Sequence, residues 1–326
     1  MKLVDLHVHT TASDGTFTPS EAVAHARDLG LSAIAITDHD TPAGIPAALA
    51  AGAACGVEVL PGIEVSVDYE GRGIHILGYG IDPAAPSLRH LLQWVVAERR
   101  RRNAEIAAAF QADGIGVTLD DLAAANPGAV IGRPHFAAWL AAHGYAETVN
   151  DAFRRFLDRG QRYYRKRAYI PLRQGLDVIC DAGGKPVMAH PLQYRFEEDA
   201  LLRCVETLRA GGVVGMECLY SAYDEAQSDY LRGLAARYGL CVTGGSDFHG
   251  SRKPIEMGTP PVPYALLEAL NCLPLEGIAS SPLPVADTGE TQLPQPHHWR
   301  AESEAGPGTA NAARPAEGCR GAPRRD

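Results

Sequence analysis

Two histidines stand two residues apart after the first apolar run of the chain. His7 and His9 follow Leu3 and Val4, where the sequence has the short apolar character of a buried strand. Side chains two residues apart in a strand point to the same face, so both imidazoles can reach one ion. Because two imidazoles on one strand face cost desolvation energy unless a ligand uses them, the pair indicates a metal site.

More acidic and histidine residues follow the later apolar runs of the chain. The run from 33 to 36 is too short and too apolar to be anything but a buried strand, and the others resemble it. Parallel barrels and doubly wound sheets bring the carboxyl ends of their strands to one face, where the loops carry the chemistry. One ring of loops can therefore collect all of these side chains, a pattern typical of a hydrolase with several metal ions. They are Asp14, Asp38, His39, Asp40, Glu64, His75, His190, Asp247 and His249.

Each cluster also has an ordinary structural explanation. An isolated Asp-His pair, such as Asp38 and His39, is usually a cap or a turn beside an exposed histidine. The repetition of such clusters at several strand ends outweighs that explanation for the set as a whole. Histidines outside the clusters are interpreted as surface, packing or solvated residues: His25, His90, His143, His297 and His298.

Strands and helices alternate along most of the chain. Thr18 and Thr41 each precede a proline, which is typical of a helix cap followed by proline at the first helical position. Alternation of this kind predicts parallel strands. Strands are predicted at 2–7, 32–37, 186–190, 213–219 and 240–245, with more strand between 57 and 80, and helices at 19–30 and 42–55.

The alternation breaks between about residues 85 and 165, where helices follow one another. Helices are predicted at 85–112, 118–125, 134–143 and 147–158. Residues 85 to 170 carry 13 Lys or Arg against 8 Asp or Glu, a net charge of +5, whereas the whole chain has a net charge of −9. We therefore predict an inserted helical subdomain at 85–165 that forms a lid over the site and attracts anions.

The rest of the chain is predicted to form one barrel domain and a tail. A chain of 326 residues with 46% hydrophobic residues can bury a full barrel core and still carry an insertion. The barrel is assigned to residues 1–84 and 166–280. The segment 281–326 is rich in Pro, Gly, Ala and Glu with almost no apolar periodicity, so it is predicted to be disordered.

Cysteine usage and the absence of long apolar segments predict the cellular compartment. The seven cysteines show no C-x-x-C pair and no framework spacing, so they are interpreted as reduced thiols. The chain goes directly into its first strand, and no apolar stretch approaches the roughly 20 residues of a membrane span. We expect a cytoplasmic protein that does not bind a membrane.

The order of the motifs resembles the signature of the polymerase and histidinol phosphatase (PHP) family. The resemblance runs from residue 1 to about 275, and it implies a distorted (β/α)7 barrel of the α/β class with three metal ions. Within the family, the chain is most similar to a bacterial group that removes the 3'-phosphate from 3',5'-nucleoside bisphosphates and is described as trimming short 5'-phosphorylated RNA from its 5' end. The motifs are Asp5-x-His7-x-His9-Thr10, Thr37-Asp38-His39, Gly62-Ile63-Glu64, His190-Pro191 and Ser246-Asp247-x-His249.

The resemblance also implies a set of metal ligands. A mixed set of imidazoles and carboxylates without thiolates suits manganese, iron or zinc, so we expect two or three divalent ions, manganese foremost. Asp38 and Asp40 are expected to orient imidazoles. Asp247 and His190 are also the expected catalytic residues, although His190 can protonate the leaving oxygen only if it does not bind a metal. The implied ligands are His7, His9, Glu64 and Asp247 for the first ion, Glu64, His75 and His190 for the second, and Asp14, His39 and His249 for the third.

A substrate with two phosphates needs an anion site beyond the metals. Arg133 and His135 flank a proline just before a predicted helix, where two donors and free backbone amides can hold an anion. The related group implies a similar role for Arg102 and Asn103. We therefore predict that the insertion binds the second phosphate.

A basic stretch at 162–167 includes Tyr163 and Tyr164. Such a stretch could stack a base or a short single-stranded RNA, or it could simply return the insertion to the barrel. Both interpretations remain open at the level of the sequence.

The predicted function is hydrolysis of the 3'-phosphate of a small anionic nucleotide, with short RNA as a further substrate. Three alternatives stay open: a histidinol phosphate phosphatase, an amidohydrolase-like hydrolase of C–N bonds on a similar barrel, and a non-catalytic accessory of a polymerase. An amidohydrolase would ordinarily offer a lysine between its metal ligands, and Lys185 is the only lysine near a strand end. The arginines of the insertion favour phosphate.

Overall fold

A computed structural model of the protein describes residues 1–126 and 131–274. Nine strands form one sheet. They are β1 (Leu3–Val8), β2 (Ala33–Ile36), β3 (Glu58–Tyr69), β4 (Arg72–Tyr79), β5 (Ile170–Pro171), β6 (Lys185–Met188), β7 (Gly215–Tyr220), β8 (Cys241–Gly245) and β9 (Val262–Pro263). The helices are α1 (Pro19–Asp28), α2 (Ile45–Cys55), α3 (Pro86–Ala112), α4 (Leu119–Ala125), α5 (Arg133–Ala142), α6 (Val149–Ala152), α7 (Leu172–Asp181), α8 (Glu198–Ala210), α9 (Glu225–Tyr238) and α10 (Tyr264–Asn271).

Seven of the strands follow one another in the order β8-β7-β6-β4-β3-β2-β1. Most neighbours are parallel, but β4 runs antiparallel to both β3 and β6. A bridge between Val8 and Phe248 brings the two ends of this row together, while β9 pairs antiparallel with the start of β1. The fold is therefore a nearly closed, distorted α/β barrel of seven strands, which confirms the predicted fold class.

The main core forms where apolar side chains of the barrel strands meet α10. Val4 and Leu6 lie on one face of β1, and the alternation of side chains places Asp5 and His7 on the other. This strand is buried along nearly its whole length because the sheet is covered on both faces. The buried residues of this core are Val4, Leu6, Ala33, Ala35, Leu60, Leu77, Tyr79, Val187, Ala189, Leu219, Val262, Leu267 and Leu270.

Four helices, α3 to α6, lie between β4 and β5 and share a second core. Within the part of the chain that the structure describes, this stretch contains no strand. The helix predicted at 147–158 is shorter than expected, because α6 ends at Ala152 and a π-helical turn covers Phe153–Leu157. The buried residues of this core are Ile106, Ala107, Phe110, Ile115, Val117, Leu122, Phe136, Ala137, Leu140, Ala146, Ala152, Leu157 and Tyr163.

The two predicted helix starts have different outcomes. Thr18 caps α1 as predicted, since its hydroxyl accepts the amide of Glu21 and the Glu21 carboxylate accepts the amide of Thr18 at 2.7 Å. The prediction for Thr41 is wrong: its hydroxyl accepts the amide of Ala43 in a turn, and α2 begins only at Ile45.

None of the helices that the structure describes is both long and apolar enough to cross a membrane. The tail predicted to be disordered, 281–326, lies outside the described residues.

Candidate active site

The histidines of the first motif lie side by side at the end of β1. The Nε2 atoms of His7 and His9 are 3.1 Å apart, and both side chains are fully buried. This is the arrangement that their spacing on one strand face predicts.

Glu64 of β3 lies at the centre of the histidine cluster. Its fully buried carboxylate is approached by imidazoles from four strands or strand ends. The distances from its oxygens are 2.8 Å to Nδ1 of His39, 2.9 Å to Nδ1 of His75, 2.9 Å to Nε2 of His190, 3.3 Å to Nε2 of His9 and 3.5 Å to Nε2 of His7.

Asp247 and Asp14 complete the cluster on the side of His9. Oδ1 of Asp247 lies 3.2 Å from Nε2 of His9 and 3.4 Å from Nδ1 of His249. Oδ1 of Asp14 lies 3.2 Å from Nε2 of His249 and 3.8 Å from Nδ1 of His9. The loops after β1 and β8 therefore meet above the same histidine.

The structure brings all nine predicted metal ligands together. Their ligand atoms form four overlapping groups, within each of which these atoms lie no more than 4.8 Å apart. Three histidines cross the predicted partition into three ion sites. His39 lies with Asp14 in one group and with Glu64 in another, His9 also joins the group of Asp14, and His7 also joins that of His190. The groups are His7, His9 and Asp247; His7, Glu64 and His190; His39, Glu64 and His75; and His9, Asp14, His39 and His249.

The carboxylates and imidazoles of the cluster shift one another's pKa values. Burial alone would lower the pKa of His9, but its close contacts with the Asp247 and Glu64 carboxylates outweigh burial and raise that pKa to about 9. Burial would likewise raise the pKa of Glu64, yet the imidazoles around it, His75 foremost, hold it well below its ordinary value. A cation that binds here must displace protons from the imidazoles, so its binding releases protons.

Several buried polar atoms of the cluster lack hydrogen-bond partners among the described residues. Nδ1 of His39 and Oε2 of Glu64 are only 2.8 Å apart but are not aligned as a hydrogen bond, and Nδ1 of His9 and of His190 also lack one. Unpaired buried donors and acceptors are costly, and a bound cation would use them. Because the ligand atoms are nitrogen and oxygen without thiolate, the residues fit divalent manganese, iron or zinc.

Glu217 of β7 supports the histidines, although it was not among the predicted site residues. It is fully buried, with Oε1 2.9 Å from Nδ1 of His7 and Oε2 accepting the backbone amide of His190 at 2.8 Å. A carboxylate on Nδ1 fixes the tautomer that leaves Nε2 for a metal. The available signal was one acidic residue inside the otherwise apolar run Gly215–Tyr220.

We expect Glu217→Gln to weaken metal binding about 10- to 100-fold while the barrel stays folded, because the amide cannot hold both His7 and the amide of His190 as the carboxylate does. Competition with a chelator measures the affinity, and circular dichroism reports on the fold. Glu206→Gln, an exposed glutamate on α8, is the matched control. An unchanged affinity in Glu217→Gln would mean that this carboxylate does not orient the ligands.

Hydroxyls and a lysine also orient the ligand-bearing loops. Oδ2 of Asp247 accepts the Tyr220 hydroxyl at 2.7 Å and the Lys253 ammonium at 2.6 Å. The Tyr194 hydroxyl accepts the amide of His75 at 2.8 Å. These contacts leave Oδ1 of Asp247 to face the cluster and hold the backbone of β4 at His75.

The two aspartates that flank His39 have separate tasks. Asp38 accepts the amide of Thr10 at 2.8 Å and the hydroxyl of Ser13 at 2.6 Å, which holds the loop that carries Asp14. Asp40 accepts the amide of Ser66 at 2.7 Å and pairs with Arg167. The expectation that both residues orient imidazoles directly is therefore wrong, because they hold the loops and an arginine instead.

Asp247, His190 and Asp40 have positive φ angles of 58°, 28° and 54°. Residues other than glycine rarely adopt positive φ angles. Backbone strain of this kind concentrates at functional sites, where the surrounding contacts enforce it. The amide of His190, held by Glu217, is one of those contacts.

A cluster of four guanidinium groups lies beside the histidine cluster, and we call it the arginine cluster: Arg99, Arg102, Arg133 and Arg167. Burial and the neighbouring charges of Arg133, Arg167 and Arg99 lower the pKa of Arg102 to about 10. Burial and Arg167 also lower the pKa of Arg99. Arg102 and Arg133 are predicted substrate residues, and the fold adds Arg99 and Arg167 from the two basic runs.

The other predicted substrate residues partly serve the insertion itself. Nδ2 of Asn103 donates to the carbonyl of Ile131 at 2.8 Å, while its buried Oδ1 has no hydrogen-bond partner in the part of the chain that the structure describes. Nδ1 of His135 accepts the amide of Gly132 at 3.0 Å, which leaves Nε2 for a ligand.

Arg133 is held at the edge of the arginine cluster. It donates to the carbonyl of Leu157 at 3.2 Å and lies 5.5 Å from the centre of the Tyr164 ring. Most of its donors remain available to an anion.

The idea that Tyr163 stacks a base is wrong. Its ring is buried in the insertion core, 3.9 Å from the ring centre of Phe110, and its hydroxyl donates to Asp113 at 2.6 Å. Tyr163 points inward because its ring fills the apolar core of the insertion, whereas Tyr164 lies against Arg133.

Comparisons with known proteins agree with this geometry. A sequence profile of the PHP domain matches residues 5–169. The chain is 35% identical over 257 residues to a Haemophilus influenzae protein named 5'-3' exoribonuclease, covering 79% of this chain and 93% of that protein. It is 34% identical over 251 residues to a Chromobacterium violaceum protein named 3',5'-nucleoside bisphosphate phosphatase, covering 76% and 88%. A crystal structure from Bifidobacterium adolescentis, provisionally assigned as a metal-dependent phosphoesterase, superposes with a TM-score of 0.70 at 33% identity, over 83% of this chain and 96% of that one.

Proposed function

The chain belongs to the PHP family, and from that membership we propose that it removes the 3'-phosphate from 3',5'-nucleoside bisphosphates to leave the nucleoside 5'-monophosphate. The same bond, between the 3'-oxygen and phosphorus, joins the first nucleotide of an RNA to the second. Short 5'-phosphorylated RNA is therefore a second substrate, trimmed from its 5' end, as the name of the Haemophilus relative suggests.

The observation that carries the proposal is the arginine cluster next to the candidate metal ligands. Arg167 pairs with Asp40, the residue that follows the candidate ligand His39. Arg99 lies close enough to Asp14, another candidate ligand, to feel its charge. An anion site and a metal centre that share a border suit a substrate with two phosphates.

The carboxylates around the arginine cluster do not neutralise its positive charge. Of its four members, only Arg167 pairs with a carboxylate among the described residues, and the buried Nε of Arg102 has no hydrogen-bond partner. Repulsion between neighbouring guanidinium groups in a partly buried place raises the free energy of the site when no anion is bound. A phosphate relieves this repulsion and accepts paired hydrogen bonds from guanidinium groups.

We assign the metal ions to the four groups of ligand atoms around Glu64 and Asp14, with manganese as the expected ion. When bound, such ions supply positive charge for the reacting phosphate and lower the pKa of a water nucleophile. Glu64 connects the groups. It belongs to two of the four, and its contacts with His9 and His39 link it to the groups of Asp247 and Asp14. His190 is assigned as a ligand and not as the acid for the leaving oxygen, since its Nε2 faces Glu64.

The protein's own residues orient the substrate and hold its charge. The arginine cluster fixes the 5'-phosphate, which places the 3'-phosphate at the ligand groups and aligns it for attack by water. Guanidinium and imidazole donors that are already in position require little reorganisation as charge develops on phosphorus oxygens. Holding the 5' end also explains how one site could serve a bisphosphate and the 5' end of an RNA.

Two alternatives fit the described residues less well. An amidohydrolase-like centre needs a lysine between metals, but Lys185 stands at the opposite end of its strand and donates to the carbonyls of Leu270 and Asn271 at 2.9 Å. A histidinol phosphate phosphatase acts on one phosphate and would leave the arginine cluster unused.

The test is a substrate screen on metal-stripped protein reloaded with manganese, zinc or iron. We expect turnover of adenosine 3',5'-bisphosphate to exceed that of histidinol phosphate, with release of inorganic phosphate and adenosine 5'-monophosphate. A 5'-phosphorylated trinucleotide should lose its 5' nucleotide first. Preference for histidinol phosphate, or hydrolysis of an amide but no phosphate ester, would refute the proposal.

A further inference from the structure

One large aromatic side chain lies in the wall of the cavity that the arginine cluster borders. The cavity is a small cleft between α3 and the segment that leads into β5, open to solvent. Trp94 of α3 is the only aromatic residue among those that line it, and its side chain is partly exposed. Three members of the arginine cluster share the wall: Arg99, Arg102 and Arg167.

The periodicity of α3 relates Trp94 to Arg102. Residues 94, 98 and 102 are spaced four apart, so they lie on one ridge of the helix surface, and Trp94, Arg99 and Arg102 all line the same cavity. At a rise of 1.5 Å per residue, Trp94 lies about 7.5 Å along the axis from Arg99 and about 12 Å from Arg102. The indole and the guanidinium groups therefore form neighbouring parts of one wall.

The two parts of the wall suit different parts of a nucleotide. The guanidinium groups suit a phosphate, whereas the indole, with Val95 beside it, offers an apolar surface. A nucleobase has flat faces that stack on such a ring. Of the other aromatic residues of the insertion, Phe110, Phe136 and Tyr163 are buried in its core and Trp139 stacks on His143. Tyr164 lies against Arg133, outside the lining of this cavity.

We propose that Trp94 is the stacking platform for the base of the nucleotide, which makes it a specificity-determining residue. This inference rests on the proposed function in that it takes a nucleotide 5'-phosphate to be the ligand of the arginine cluster. It adds that the site distinguishes a nucleotide from a sugar phosphate of equal charge by a contact with the base.

Binding of two ligands to the full chain tests the inference without turnover. Calorimetry compares adenosine 5'-monophosphate with ribose 5-phosphate, which lacks the base. Trp94→Ala should weaken binding of the nucleotide about 5- to 150-fold, the range for loss of one aromatic stack, and leave binding of ribose 5-phosphate within about twofold. Trp94→Phe should keep most of the nucleotide affinity, because a phenyl ring still stacks.

Two further variants separate stacking from packing. Trp94→Leu keeps apolar bulk without an aromatic face, so it should behave like Trp94→Ala. Leu92→Ala changes an exposed residue of the same helix that does not line the cavity, and both affinities should stay unchanged. Thermal unfolding of each variant checks that α3 keeps its place.

Equal losses for both ligands in Trp94→Ala, full affinity in Trp94→Leu, or no binding of adenosine 5'-monophosphate to the original chain would each overturn the inference. The proposed function fails separately. If the protein hydrolyses adenosine 3',5'-bisphosphate but Trp94 has no effect on nucleotide binding, the proposed function stands and the stacking role of Trp94 is refuted. If nucleotide binding depends on Trp94 but the bisphosphate is not hydrolysed, the stacking role stands and the proposed function is refuted.

Discussion

Glu64→Gln is expected to lower turnover of the bisphosphate by at least about 10³-fold, equivalent to about 4 kcal/mol of transition-state stabilisation. The change removes one negative charge from a carboxylate that lies within 3.5 Å of five imidazoles. We expect the original chain to bind more than one transition-metal ion and the variant to bind fewer. Elemental analysis of the purified proteins, together with phosphate release, measures both quantities.

Glu58→Gln is the matched control for Glu64→Gln. Glu58 lies on the same strand, its side chain is exposed, and its carboxylate accepts the hydroxyl of Tyr264 at 2.5 Å, away from the histidines. Its metal content and turnover should equal those of the original chain. Full activity in a sample of the original chain that contains one ion or none would refute the multi-metal centre, and so would full activity of Glu64→Gln.

Arg133→Ala is expected to lower kcat/KM for adenosine 3',5'-bisphosphate roughly 10- to 150-fold, which corresponds to about 1.5 to 3 kcal/mol for one charge-assisted contact. Hydrolysis of p-nitrophenyl phosphate, which has no second phosphate, should change by less than about threefold. Arg102→Ala should act in the same direction, because the buried Nε of Arg102 has no hydrogen-bond partner among the described residues and is available to a phosphate. The ratio of the two kcat/KM values is the measurement.

Arg101→Ala controls for the loss of positive charge from α3. Arg101 is exposed and already paired with Glu98 and Glu105, at 2.8 and 2.6 Å. Its removal should leave both substrates unaffected. Equal losses on both substrates in Arg133→Ala would instead mean that this arginine supports the insertion through Leu157 or contacts the reacting phosphate itself.

The candidate metal ligands were predictable because their signal is local. His7 and His9 share a strand face by spacing alone, and each remaining ligand ends or follows an apolar run that reads as a strand. That these ligands meet at one end of the barrel then follows from the rule that the carboxyl ends of parallel strands carry the chemistry. The geometry around Glu64 agrees with this reasoning, and the PHP relationship confirms the resemblance.

Residues that act through contacts distant in sequence were missed. Glu217 reaches His7 across 210 residues, and no spacing rule relates one acid in an apolar strand to a histidine on another. Arg99 and Arg167 come from separate basic runs, and only the path of the chain between α3 and β5 decides which of the many arginines in those runs converge. The inward position of Tyr163 depends in the same way on how the insertion fills its core.

Asp5 links the beginning of the barrel to its end. Its carboxylate accepts the amide of Ser246 at 2.9 Å and the amide of Gly258 at 2.7 Å, on partners 241 and 253 residues further along the chain. The same Ser246 precedes the ligand Asp247. A chain that is still being synthesised therefore lacks both the fastening and the last ligands until nearly all of the described residues have left the ribosome. Closure over so long a loop places completion of the candidate metal centre late in folding, so an incomplete chain lacks a complete centre.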